Sequence, residues 1–148
     1  MTASSQNDLF SLRPARDADK ALLDTYTYAE GMDSIPDVHG VTVAVNADDV
    51  AVGFIRIVVD GKGIANVYPI VTYSAWRGYG VGRALIEDAL SRFGELKLVS
   101  RGSSRGFYET LGFQECAWTE IEPGFSEDCP ACSWRNECNP CPMRLVAR

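Results

Sequence analysis

Trp76-Arg77-Gly78-Tyr79-Gly80-Val81-Gly82 is the stretch whose reading decides the fold. It lies between an apolar, strand-like run and an amphipathic helical pattern. Three glycines interleaved with an arginine let backbone N–H groups approach an anion where a helix begins, and the partial positive charge of the helix N-terminus reinforces them. The segment reads as a phosphate holder. Neither common nucleotide loop fits it: no lysine and hydroxyl follow the last glycine, and the spacing is Gly-x-Gly-x-Gly rather than Gly-x-Gly-x-x-Gly. The competing reading is a glycine-rich turn that serves only tight packing.

Working outward, Tyr79 to Phe93 gives the clearest helical pattern. Val81, Leu85, Ala89 and Phe93 recur every four residues, with Ile86 and Leu90 beside them and Arg83, Glu87 and Arg92 on the polar side. Before the loop, Ile64 to Tyr73 reads as a strand introduced by the turn Asp60-Gly61-Lys62-Gly63. Val41–Val45 and Val50–Val59 form two further strands joined through Asn46-Ala47-Asp48-Asp49, an antiparallel hairpin. Towards the N-terminus, Phe10–Pro14 reads as a strand and Ala15 to Tyr28 as a helix, while the glycine- and proline-broken run Glu30 to Gly40 reads as a loop or short helix. After the long helix, Leu96–Ser100 is a short parallel strand, followed by a helix that begins near Ser103 or Ser104, either a suitable cap.

A second motif follows in Gly106-Phe107-Tyr108-Glu109-Thr110-Leu111-Gly112-Phe113. Arg-x-x-Gly-x-Gly at Arg77, Gly80 and Gly82 resembles the pyrophosphate loop of the GNAT N-acetyltransferase superfamily. The second segment resembles the Phe-Tyr-x-x-x-Gly-Phe run that this family carries on the helix after its fifth strand. Both occur in the family's order, and the resemblance covers roughly Leu9 to Trp118. It implies an α/β (α+β) fold in one domain over residues 1–148, a mixed, mostly antiparallel twisted sheet flanked by helices. It also implies an acetyl-CoA-dependent N-acetyltransferase that works by direct attack of an amine in a ternary complex.

The resemblance carries roles residue by residue. Arg77, Gly78, Tyr79, Gly80, Val81, Gly82 and Arg83 fall on the pyrophosphate loop, and Ile70, Val71 and Thr72 fall where the family's strand opens to hold the pantetheine arm through main-chain groups. Pro69 cannot donate a strand hydrogen bond, and one end of this strand must tolerate it. Tyr108 stands where the family places the acid that protonates the departing thiolate; a phenol, with an unperturbed pKa of about 10, is protonated at neutral pH. Phe107, Leu111 and Phe113 read as core, and a purely packing role is the alternative for Tyr108. Many family members have an asparagine near position 101 that touches the coenzyme arm, whereas this chain has Arg101. Glu30, Asp33, Asp37 and His39 lie in the loop that commonly covers the acceptor, but none sits in a motif for a general base.

The C-terminal run departs from the family. Cys129, Cys132, Cys138 and Cys141 give Cys-x2-Cys-x5-Cys-x2-Cys, four of the five cysteines of the chain, just before a last strand at Pro142–Val146. Four thiolates at this density suggest zinc or an iron–sulfur cluster, with disulfides and unliganded thiols as alternatives. The cysteine-rich segment 129–141 is thus expected as an insertion before the last strand. A non-catalytic acyl-CoA-binding or metal- and redox-sensing module is the second function class.

Bulk properties bound the rest. With 148 residues, 46% of them hydrophobic and 23% charged, the chain suits one core. A net charge of −6 disfavours nucleic acid as a partner. The N-terminal residues show no signal-peptide pattern, and no window suits a membrane span, so a cytoplasmic enzyme without a membrane partner is expected. The expected partner is a small-molecule or peptide amine; monomer and homodimer both stay open.

Overall fold

The computed structural model describes residues 9–125 and 139–147. Seven strands lie among them: β1 Ser11–Pro14, β2 Val41–Val45, β3 Ala51–Val59, β4 Ala65–Thr72, β5 Glu95–Ser100, β6 Gln114–Glu115 and β7 Cys141–Val146. Three helices accompany them: α1 Lys20–Ala29, α2 Val81–Phe93 and α3 Arg105–Thr110. The strands are hydrogen-bonded in the order β1-β2-β3-β4-β5-β7-β6. Pairs β1–β2, β2–β3, β5–β7 and β6–β7 are antiparallel and β4–β5 is parallel, the mixed, mostly antiparallel sheet expected. The chain divides into two compact units, Met1–Ile57 with Pro69–Asp88, and Val58–Tyr68 with Ala89–Arg148.

In the first unit, α1 lays Leu23 and Tyr26 on the inward side chains of β2 and β3. Leu23, Val43 and Phe54 are fully buried in one cluster with Val45, Ala51 and Val71. The Tyr26 hydroxyl is drawn into that core but stays satisfied, donating to Ala51 O at 2.7 Å, while its ring stacks on Tyr73 at 5.0 Å. The hairpin turn is built by Asn46, whose Oδ1 accepts from the N–H groups of Asp48 and Val50. Its geometry puts Asp49 at φ +61°, where it accepts from Arg13 and Arg16. Arg13 also forks onto Asp19, and that guanidinium holds the Asp19 carboxyl below the usual range.

Helix α1 starts at Lys20, five residues later than the sequence pattern suggests. Pro14 lies in β1, Ala15 N–H still bonds to Val41 O at 2.9 Å in continuation of that strand, and Asp17–Asp19 form a single 3-10 turn first. From Glu30 to Gly40 the chain has no helix or strand, as expected of that run, but Ile35 is buried and its N–H is held by Asp24 Oδ1 at 3.1 Å.

In the second unit, β5 and β7 present one apolar face. Opposite pairs Leu96↔Leu145, Leu98↔Met143 and Ser100↔Cys141 alternate along the two strands, and all six residues are buried. Lys97 is buried as well, donating from Nζ to Glu120 O at 2.9 Å. The expected turn at 60–63 is held by Asp60. Burial would raise its pKa, but bonds from Ile64 N–H, Asn66 Nδ2 and Lys62 N–H keep it below the usual range.

Three local expectations are corrected. Ser104 stands at the N-cap of α3 without a side-chain cap bond, because Gly102–Ser104 already form a 3-10 turn leading into it. Phe93 is 41% exposed at the end of α2, where Arg92 lies over its ring, and Phe107 is 43% exposed on the short α3, so neither is core. The last strand begins at Cys141 rather than Pro142. Of the cysteine-rich segment, Cys129, Cys132 and Cys138 lie outside the described residues.

Candidate functional site

The glycine loop takes its shape from its own sequence. A 3-10 turn at Ser74–Trp76 delivers Arg77 in an extended conformation, and the backbone then swings left-handed at Gly78 (φ +88°) and Gly80 (φ +83°). Only glycine adopts those angles without strain. Beyond the adjoining residues of the chain, no described atom lies within 4 Å of where a Cβ would sit on either glycine, so glycine there answers to backbone shape rather than to crowding. Helix α2 therefore begins at Val81, two residues later than the apolar pattern suggests, and its first intrahelical bond is Ala84 N–H to Gly80 O at 3.0 Å. Gly82 is a first-turn helical residue. The N–H groups at the head of α2 have no intrahelical acceptors, and the helix dipole points its positive end the same way.

Arg77 is exposed, and Nη2 donates to Glu30 Oε2 at 2.7 Å. Tyr79 is 53% exposed with its ring 5.4 Å from that of Trp76, and Arg83 faces Glu87 one turn on at 3.8 Å. Val81 is the anchor. Its side chain is 1% exposed and packs over Gly53 of β3, a residue the sequence reading passed over. A Cβ on Gly53 would meet Val81 Cγ1 at 2.8 Å and Val71 O at 3.1 Å. Glycine inside a strand marks such a close approach, and this was the available signal.

On β4, Val71 is buried whereas Ile70 and Thr72 are half-buried. Pro69 lies inside the strand, not at its end. The parallel register with β5 covers Ala65↔Leu96 and Asn66↔Lys97 only.

The second unit carries Tyr108 on α3. Its ring stands edge-on to Phe107 at 5.2 Å and to Phe113 at 5.5 Å, and Phe113 is buried while Leu111 is half-buried. Burial of the hydroxyl pushes the Tyr108 pKa up to about 12, with the positive charge of Arg101 pulling the other way. The phenol is thus a neutral donor at physiological pH, and Arg101 acts electrostatically on it.

His39, Asp33 and Asp37 are exposed on the 30–40 loop, where the His39 N–H is held by Asp37 Oδ1 at 2.9 Å. Cys141 is buried at the head of β7, and desolvation raises its thiol against the pull of Arg105. Among the described residues no group of three or more His, Cys, Asp or Glu side chains is arranged to hold a metal ion. No helix among them is long and apolar enough to cross a membrane.

The chain belongs to the acetyltransferase (GNAT) domain family, whose family model matches residues 37–115, just over half of its length. Solved structures agree on the fold. Rv2747 from Mycobacterium tuberculosis, in complex with CoA, superposes with a TM-score of 0.76 at 16% identity, over 93% of this chain and 99% of that one. N-acetylglutamate synthase from Neisseria gonorrhoeae, complexed with coenzyme A and N-acetyl-glutamate, gives 0.73 at 16% identity over 94% of this chain and 35% of its own. Naa50 from Arabidopsis thaliana, in complex with the bisubstrate analogue CoA-Ac-MVNAL, gives 0.61 at 19% identity over 93% of this chain and 99% of its own. No curated protein matches the chain.

Proposed function

We propose that the chain transfers the acetyl group of acetyl-CoA to an amine by direct attack. The observation that carries this reading is the loop at Arg77–Arg83, in which two left-handed glycines stand at the head of α2. Backbone N–H groups and a helix N-terminus in that arrangement suit the pyrophosphate of a coenzyme. Arg77, Gly78, Tyr79, Gly80, Val81, Gly82 and Arg83 are assigned to the pyrophosphate, and Ile70, Val71 and Thr72 to the pantetheine arm. The relatives solved with CoA support the coenzyme.

The amine nitrogen attacks the thioester carbonyl carbon. The tetrahedral adduct collapses with cleavage of the C–S bond, the departing thiolate takes the proton of Tyr108, and the amine nitrogen loses a proton to solvent, from which the Tyr108 phenolate regains one. A phenol pushed up to about 12 keeps its proton until the thiolate forms. A primary amine, small or at a peptide N-terminus, is the acceptor class that the N-acetyl-glutamate and bisubstrate-analogue complexes support. The test is transfer of radiolabelled acetyl from acetyl-CoA to a panel of such amines, with labelled amide expected and hydrolysis alone counting against the proposal.

Cys129, Cys132, Cys138 and Cys141 are proposed, on their spacing, as ligands of a structural zinc ion or an iron–sulfur cluster. Protein purified without oxygen is expected to contain stoichiometric metal. Metal-free protein that folds normally contradicts this.

A further inference from the structure

The Arg77–Glu30 ion pair couples the coenzyme loop to a different part of the first unit. Glu30 terminates α1, where its N–H bonds to Thr27 O at 3.1 Å, and it opens the loop that runs to Gly40. Its carboxylate stands 2.7 Å from the guanidinium of the arginine that heads the glycine loop. Pyrophosphate carries the same sign of charge as Glu30 and offers a guanidinium the same oxygen geometry. Two anions thus compete for one cation. The contact is also reversible, because the Arg77 side chain is 58% exposed and surface ion pairs of this kind contribute little to folding.

We propose that Glu30 is a counter-ion that the pyrophosphate of acetyl-CoA displaces from Arg77. This rests on the coenzyme reading above. Glu30 is then a positioning residue: it keeps Arg77 turned towards α1 in the free protein and gives up that hold when the coenzyme arrives.

The test compares binding of acetyl-CoA and of S-acetylpantetheine, which lacks the pyrophosphate, to wild type, Glu30→Gln, Arg77→Gln and the double variant. Glu30→Gln is expected to bind acetyl-CoA about two- to fivefold more tightly at low ionic strength, the range of an exposed ion pair. The gain should shrink as salt is raised and vanish in the Arg77→Gln background, while S-acetylpantetheine binding stays the same. Glu30→Ala removes the same charge and should give the same gain. Unchanged or weaker acetyl-CoA binding by both Glu30 variants overturns the proposal. Wild type that binds neither compound overturns the coenzyme reading itself.

Discussion

Tyr108→Phe is expected to lower the turnover number for acetyl transfer by about 100-fold or more while leaving acetyl-CoA affinity unchanged. The size is that of a positioned general acid. The variant keeps the ring that packs edge-on against Phe107 and Phe113 and removes only the hydroxyl, so the local fold is retained. The pH dependence has a definite sign. Burial raises the Tyr108 pKa to about 12, so the acid remains protonated from neutral pH to beyond pH 10 and contributes no falling limb to the rate in that interval. For stability, the group binds its proton more tightly when folded. Its contribution is complete below the unfolded value of about 10 and is lost as the pH rises through the folded value. Steady-state rates and calorimetric affinities on the two proteins check the prediction, and equal turnover removes Tyr108 as the acid.

Gly53→Ala is expected to destabilise the protein by about 1–3 kcal/mol, the cost of forcing a methyl group into a packed site. It should also weaken acetyl-CoA binding by roughly tenfold. The new Cβ meets Val81 Cγ1 at 2.8 Å and Val71 O at 3.1 Å. One contact is a side-chain methyl and the other is strand backbone, so the easier movement is of Val81, which is the first residue of α2. Moving Val81 displaces the N–H groups assigned to the pyrophosphate. Val81→Ala removes the methyl that the new Cβ strikes, so Gly53→Ala/Val81→Ala should bind acetyl-CoA better than the sum of the single losses implies. Thermal unfolding and titration of the four proteins check this, and strictly additive losses contradict the steric link.

Most of the fold was legible because the relevant signals are local. The hairpin 41–59 declares itself through β-branched runs around Asn46-Ala47-Asp48-Asp49, and the long helix through Val81, Leu85 and Ala89, each of which is buried. What escaped is set by neighbours distant in sequence. The delayed start of α1 follows from Ala15 N–H bonding to Val41, and the late start of α2 from the left-handed turn at Gly80. Phe107 belongs to an aromatic pattern that spacing assigned to the core, yet α3 has only six residues and cannot turn every ring inward.

The site divides in the same way. The glycine loop was legible from its spacing ahead of a helical pattern, since glycine takes left-handed backbone at no steric cost. The environment of Tyr108 was not: its raised pKa depends on burial, and the opposing influence of Arg101 depends on how α3 folds back. Likewise the glycine at position 53 is unremarkable in a strand until Val81 is seen above it. Arg77 was recognisable as a coenzyme residue, whereas its pairing with Glu30 spans 47 positions and has no signature in sequence.

Calorimetric titration of acetyl-CoA, with free CoA alongside, tests the central claim most directly. Saturable one-to-one binding of acetyl-CoA, weakened in Arg77→Gln, is the predicted result. Absence of binding by both acetyl-CoA and CoA to folded protein would contradict the assignment of residues 77–83 to a coenzyme pyrophosphate, and with it the proposed reaction.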